Sequence, residues 1–318
     1  MNSQVRKCRY NYAHRVLFRV AMAGLALLTA GSAAAQQATF DSPAAAQEAL
    51  KAAVQAKDRQ ALLRLFGPLV EDLKSGDAVQ DQADLQAFAR RLERASSLEA
   101  DGPDKYVLLV GVEKHPFAVP IVRKDGKWFF DTAAGREEML NRRIGANELQ
   151  ALRVCRGYVV AQREFYLADP DGDGVLEYAQ KLASTPGQRD GLYWESKEGE
   201  PPSPLGPLVA EARAEGYGAQ ASNPSGGVRP YHGYVYRVLT CQGERAVGGK
   251  LDYVINFHMV AGFGLIAYPV QWGSSGVMTF LVNTNGKIYE KNLGEKTAEL
   301  AAQIDCYDPD QTWSLPGE

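Results

Sequence analysis

The stretch richest in chemistry is Asp169-Pro170-Asp171-Gly172-Asp173-Gly174-Val175-Leu176-Glu177-Tyr178-Ala179-Gln180. It has carboxylates at positions one, three, five and nine and a glycine at position six. This reproduces the first nine positions of a calcium loop, because a hard cation needs clustered oxygens around a sharp turn. Asp169, Asp171, Asp173 and Glu177, with the Val175 carbonyl, are the expected ligands of one Ca²⁺. Position twelve is Gln180, which cannot supply the usual bidentate carboxylate, so the expected affinity falls in the weak range of extracellular modules, about 10⁻⁴–10⁻³ M. Without an ion, the same residues read as an acidic Asp/Gly turn.

Spacing assembles no catalytic group. The histidines beyond residue 35 are His115, His232 and His258, far apart and in no zinc-type pattern with each other or with cysteine. Gly273-Ser274-Ser275-Gly276 departs from a nucleophile elbow, since Val277 stands where the second glycine belongs. Gly248-Gly249-Lys250 lacks the spacing of a phosphate loop, and the adjacent Glu137 and Glu138 diverge on a helix. Tyr193, Trp194, Tyr231, Tyr234 and Trp272 suit a sheet core, or a groove for carbohydrate or peptide. No catalytic residue is assigned.

The chain of 318 residues opens with a leader pattern: Arg6, Lys7, Arg9, Arg15 and Arg19 without an acidic residue, an apolar run from Val20 to Ala30, then Gly31-Ser32-Ala33-Ala34-Ala35. This predicts a secretory signal peptide over 1–35, cleaved after Ala35, and a periplasmic or secreted mature chain. The apolar run is shorter than a membrane span, and no later stretch qualifies, so no span is expected after removal of the signal. Losing five basic residues turns a net charge of −3 into −8. That balance excludes the electrostatic footprint of a nucleic-acid partner. Of the three cysteines left, Cys155 falls among the apolar positions of a helix, as a buried free thiol would. Cys241 and Cys306 lie near the ends of late elements and are the expected disulfide, favoured in an oxidising compartment.

The elements that must position these groups follow from punctuation and periodicity. Ser42-Pro43, Asp58 and Asp77 each start a helix; in the third, Leu85, Phe88, Leu92 and Ala95 mark a buried face. Strands are expected at 106–112, 117–123 and 127–131, with Asp125-Gly126 as a hairpin turn. A long helix over 132–168 with a bend near Gly145 presents a wide apolar face. After the acidic loop, Leu176, Tyr178 and Leu182 suggest a further helical segment. A short helix near 207–215, strands at 234–240, 263–268, 277–282 and 287–293, and a last helix near 295–304 complete the pattern. The fold class is α+β, with an N-terminal unit over 36–135 and a unit of long helix plus antiparallel sheet over 136–318.

The strings Pro120-Ile121-Val122-Arg123, Phe130-Asp131-Thr132-Ala133-Ala134-Gly135-Arg136-Glu137-Glu138, Arg189-Asp190-Gly191-Leu192-Tyr193-Trp194 and Pro230-Tyr231-His232-Gly233-Tyr234 resemble an exported bacterial family, domain of unknown function 2950. The resemblance brings no activity with it. More remotely, Ala146-Asn147-Glu148 with the helix after it, and Ala267-Tyr268-Pro269 through Val282-Asn283, are similar to type IV pilin and pseudopilin headgroups. Glu137, Glu138, Arg142 and Arg143 replace the apolar segment by which pilins pack into fibres. The first unit resembles the cystatin or nuclear-transport-factor type of fold. The sequence therefore points to an envelope protein that binds or supports an envelope protein or polymer, with a hydrolase acting on such a polymer as the alternative.

Overall fold

Three capped helices lead into the first sheet of the computed structural model, which describes residues 37–69, 77–170, 172–217 and 230–317. The signal peptide expected over 1–35 lies outside the described residues. Helix α1 (Pro43–Gln55) begins under Ser42, whose hydroxyl accepts from the Ala45 N–H at 3.1 Å. Helix α2 (Arg59–Phe66) is capped by Asp58, and α3 (Ala78–Arg94) by Asp77. Each side chain satisfies an N–H that the first turn leaves without an internal partner. On α3, Leu92 is buried as expected, whereas Leu85 is half exposed.

Strands β1 (Ser96–Ala100), β2 (Lys105–Val110), β4 (Ile121–Lys124) and β5 (Lys127–Phe130) form an antiparallel sheet in that order, with β3 (His115–Pro116) also paired to β2. Of the strand expected over 117–123 only the end forms, as β4, and Pro120, which has no N–H to offer a ladder, stands just ahead of it. Asp125 and Gly126 both take positive φ, 51° and 77°, as a two-residue hairpin turn requires. Leu50 of α1 packs with Leu108, Ile121 and Phe130 of the sheet, all without solvent exposure.

Helix α4 (Thr132–Ala168) runs for 37 residues, continuous through Gly145, and residue 135 lies in its first turn. At Gly135 a Cβ would fall 2.7 Å from the Val119 Cα, so the helix starts pressed against the chain between β3 and β4. Its C-terminal half packs on a second sheet. Beyond α5 (Gly206–Ala214) come β6 (Tyr234–Leu239) and two short pairs, β7 (Cys241–Gln242) with β8 (Leu251–Asp252) and β9 (Val254–Ile255) with β10 (His258–Met259). Strands β11 (Gly264–Pro269), β12 (Met278–Asn283) and β13 (Tyr289–Asn292) follow, giving the antiparallel order β13-β12-β11-β6.

Alternation along β11 divides two apolar clusters. Leu265 and Ala267 join Tyr158, Val159 and Phe165 of α4, while Ile266 joins Leu239, Leu281, Tyr307 and Ala301 of α6 (Thr297–Ala302). Cys241 and Cys306 are disulfide-bonded, with Cα atoms 4.6 Å apart, and Cys155 is a buried free thiol. The architecture is α+β. No helix among the described residues is long and apolar enough to cross a membrane.

Candidate functional site

The acidic loop leaves α4 through Asp169, which takes the left-handed conformation at φ 42°, ψ 61°. Gly172 and Gly174 also have positive φ, so the chain turns tightly. Asp169 Oδ2 accepts from the Gly174 N–H at 3.2 Å, and Asp173 Oδ1 from the Val175 N–H at 2.7 Å. Asp171 lies outside the described residues.

No helix follows the loop, contrary to the helical segment expected around Leu176, Tyr178 and Leu182. The segment instead bridges to the β9–β10 hairpin at one point, where the Tyr178 N–H donates to the Met259 carbonyl at 2.8 Å. The physical reason lies in Gln162, buried on α4, which bonds both backbone groups of Ala179 and so consumes hydrogen bonds that a helix would need internally. Gln180 donates to the Phe257 carbonyl at 2.6 Å, so position twelve braces the hairpin turn. Asn256 and Phe257, at the tip of that turn, take φ of 51° and 71°, and Phe257 is 91% exposed.

This course brings His258 to the loop. Its Nδ1 lies 3.4 Å from Glu177 Oε2 and 3.7 Å from Asp173 Oδ2. One donor atom from each of the three residues lies within 4.8 Å of the other two. Glu177 Oε2 also accepts from the Met259 N–H at 3.0 Å, which orients the carboxylate. Nδ1 of His258 is enclosed but makes no hydrogen bond, and Asp169 Oδ1 is in the same position. Of the sequence-derived ligands, Asp173 and Glu177 therefore come together, and Asp169 stands outside that trio. His258 carried no spacing signal, because only the fold brings it to the loop.

A second polar cluster surrounds His232, whose φ is 47°. Its Nε2 lies 2.9 Å from Glu215 Oε2, and its backbone N–H donates to the Tyr217 hydroxyl at 3.2 Å. Tyr217 in turn donates to Asp77 Oδ2 at 2.8 Å, the carboxylate that caps α3, and the Gly233 N–H donates to the same oxygen at 3.2 Å. Gln150 of α4 donates to the Tyr231 hydroxyl at 3.0 Å. Burial, reinforced by Glu215, pushes the Tyr231 hydroxyl up to about 12; burial and the bond to Asp77 push Tyr217 up as well. Both hydroxyls serve as hydrogen-bond partners within the cluster. The Cys155 thiol is likewise pushed up to about 12 by burial, despite nearby Arg156. Tyr234 lies fully in the core, and Tyr193 and Trp194 pack partly buried against it.

A family described as "Protein of unknown function (DUF2950)" matches residues 37–315. No curated protein and no solved structure matches the chain.

Proposed function

From the premise that the chain belongs to this family of unknown function, we propose that it is an exported module acting by binding or structural support in the bacterial envelope, not by catalysis. In this reading a divalent cation stabilises the corner between the Asp169–Gln180 loop and the hairpin, calcium being the ion that the loop pattern alone implies. The carrying observation is the use made of the reactive side chains. His232 is held by Glu215 between tyrosines whose hydroxyls bond within the cluster, and the Cys155 thiol is sealed in the core. Supporting the location are the Cys241–Cys306 disulfide and the basic, apolar, small-residue leader.

The test expresses the full chain in a bacterial host, fractionates the cells, and offers the purified mature protein peptidoglycan and envelope polysaccharide. Expected are a processed, oxidised chain outside the cytoplasm, cross-linkable to an envelope component, and no release of polymer fragments. A reduced, unprocessed cytoplasmic chain would overturn the location. Fragment release that His232→Ala abolishes would establish the hydrolase instead.

A further inference from the structure

We infer that the loop–hairpin corner takes an ion of the zinc class, bound by Asp173, Glu177 and His258, in place of an all-oxygen calcium site. The inference rests on the reading that a cation occupies this corner. Spacing alone does not choose the ion. Tetrahedral bonds of about 2.0–2.2 Å put neighbouring donors about 3.3–3.6 Å apart, and calcium bonds of about 2.3–2.6 Å at right angles give nearly the same separation. The observed 3.4 and 3.7 Å from His258 Nδ1 to the two carboxylates suit either.

The donor chemistry decides. Calcium takes six to eight oxygens, whereas the trio offers two carboxylates and one imidazole nitrogen. Of the other described carboxylates of the loop, Asp169 lies outside the trio, and its Oδ2 accepts from Gly174. The Gln180 amide is turned to the Phe257 carbonyl. An imidazole beside carboxylates suits zinc and its transition-metal neighbours, which need only three protein donors and leave a position for water.

Two further features fit a ligand set. His258 Nδ1 is enclosed without a hydrogen bond, which is costly for a ring nitrogen and is relieved by a metal bond. Each carboxylate is also aimed by a backbone N–H, Asp173 by Val175 and Glu177 by Met259, the outer support that orients metal ligands. Two negative charges meet a dication. The bound ion would join residues on the two sides of a Glu177-to-Met259 separation of 82 positions, and so pin the hairpin that displays Phe257.

The test uses tag-free, disulfide-intact mature chain stripped with chelator and titrated calorimetrically with ZnCl₂ and, separately, CaCl₂, with Co²⁺ absorption as a report of ligand type. Expected are zinc binding at least 100-fold tighter than calcium, and tetrahedral Co²⁺ bands. His258→Ala should weaken zinc by 10-fold or more while circular dichroism and any calcium binding stay unchanged, and Asp173→Asn should weaken zinc likewise. Calcium binding equal to or tighter than zinc, or zinc binding indifferent to His258→Ala, overturns this inference and leaves the cation reading standing. No heat and no melting shift with either ion at 1 mM overturns both.

Discussion

Gln162 of α4 grips Ala179 in both directions, its Nε2 donating to the Ala179 carbonyl and its Oε1 accepting from the Ala179 N–H, each at 2.8 Å. The same Nε2 lies 2.8 Å from the Tyr158 hydroxyl, which donates to the Gly264 carbonyl of β11. One side chain with no solvent exposure thus ties the segment carrying Glu177 to the long helix. Gln162→Leu keeps the volume but leaves the Ala179 N–H and carbonyl without that partner. A loss of about 2–4 kcal/mol is expected, from about 1–3 kcal/mol per orphaned buried group. Urea denaturation of the two proteins measures it, and a difference within 0.5 kcal/mol would mean that the segment finds other partners.

The Cys241–Cys306 bridge closes a separation of 65 positions. In the chain-entropy account a loop of that size contributes about 4 kcal/mol, so reduction, or the double change Cys241→Ser with Cys306→Ser, should lower Tm markedly. Non-reducing peptide mapping should recover 241 with 306. The Cys155 thiol should resist alkylation until the chain unfolds, since it is buried and protonated. Rapid labelling of Cys155 in native buffer would contradict this.

Asp190 gives a pH dependence with a defined sign. Burial raises its carboxyl, but bonds from Lys181 Nζ at 2.5 Å, the Thr185 N–H at 2.7 Å and the Thr185 hydroxyl at 2.8 Å outweigh that and hold it at about 2. Its folded value thus lies below the ordinary 3.8. The stabilisation is therefore complete well above pH 4 and is lost as pH falls toward 2. Allowing for solvent screening of a side chain 28% exposed, Asp190→Asn should cost about 1–2 kcal/mol at pH 7. The gap between wild type and variant should narrow by pH 2.5 in denaturant titrations. A gap that holds constant from pH 7 to 2.5 would rule out the carboxylate as its source.

Export should leave Gln36 as the first residue, since Ala33 and Ala35 occupy the small-residue positions that signal peptidase reads. Intact mass and N-terminal sequencing of extracytoplasmic material check this. Chain retaining Met1 in the membrane fraction is the opposing result.

Long elements with strong punctuation were legible before the structure. The helix expected over 132–168 coincides with α4, because Asp131 caps it and an apolar face persists through Phe165. Strand β1 escaped: Ser96-Ser97-Leu98-Glu99-Ala100 has one large apolar residue and lies at a sheet edge, where pairing with β2 supplies the order that propensity does not. Strands β7 to β10 are two residues each, too short for any period. In the candidate site, the loop carboxylates are visible in the sequence because all four lie within nine residues. His258 is not, since its partners arrive through the Tyr178–Met259 pairing, a tertiary event. The bonds of Gln162 explain equally why the apolar segment around Tyr178 is not helical.

The continuity of α4 also dictates an order of assembly. A chain made from its N-terminus has every residue of α1 to α3 and β1 to β5 in hand by residue 130. The first strand that joins the apolar cluster on the far half of α4 begins only at Tyr234, and the last, β12, ends at Asn283. Until then Tyr158, Val159 and Phe165 stand on a formed helix without their sheet. The far half of α4 is therefore a waiting template, on which β6, β11 and β12 must pair and dock together. Docking of that sheet on α4, across separations such as the 106 positions between Tyr158 and Gly264, is the long-range step of this half of the fold.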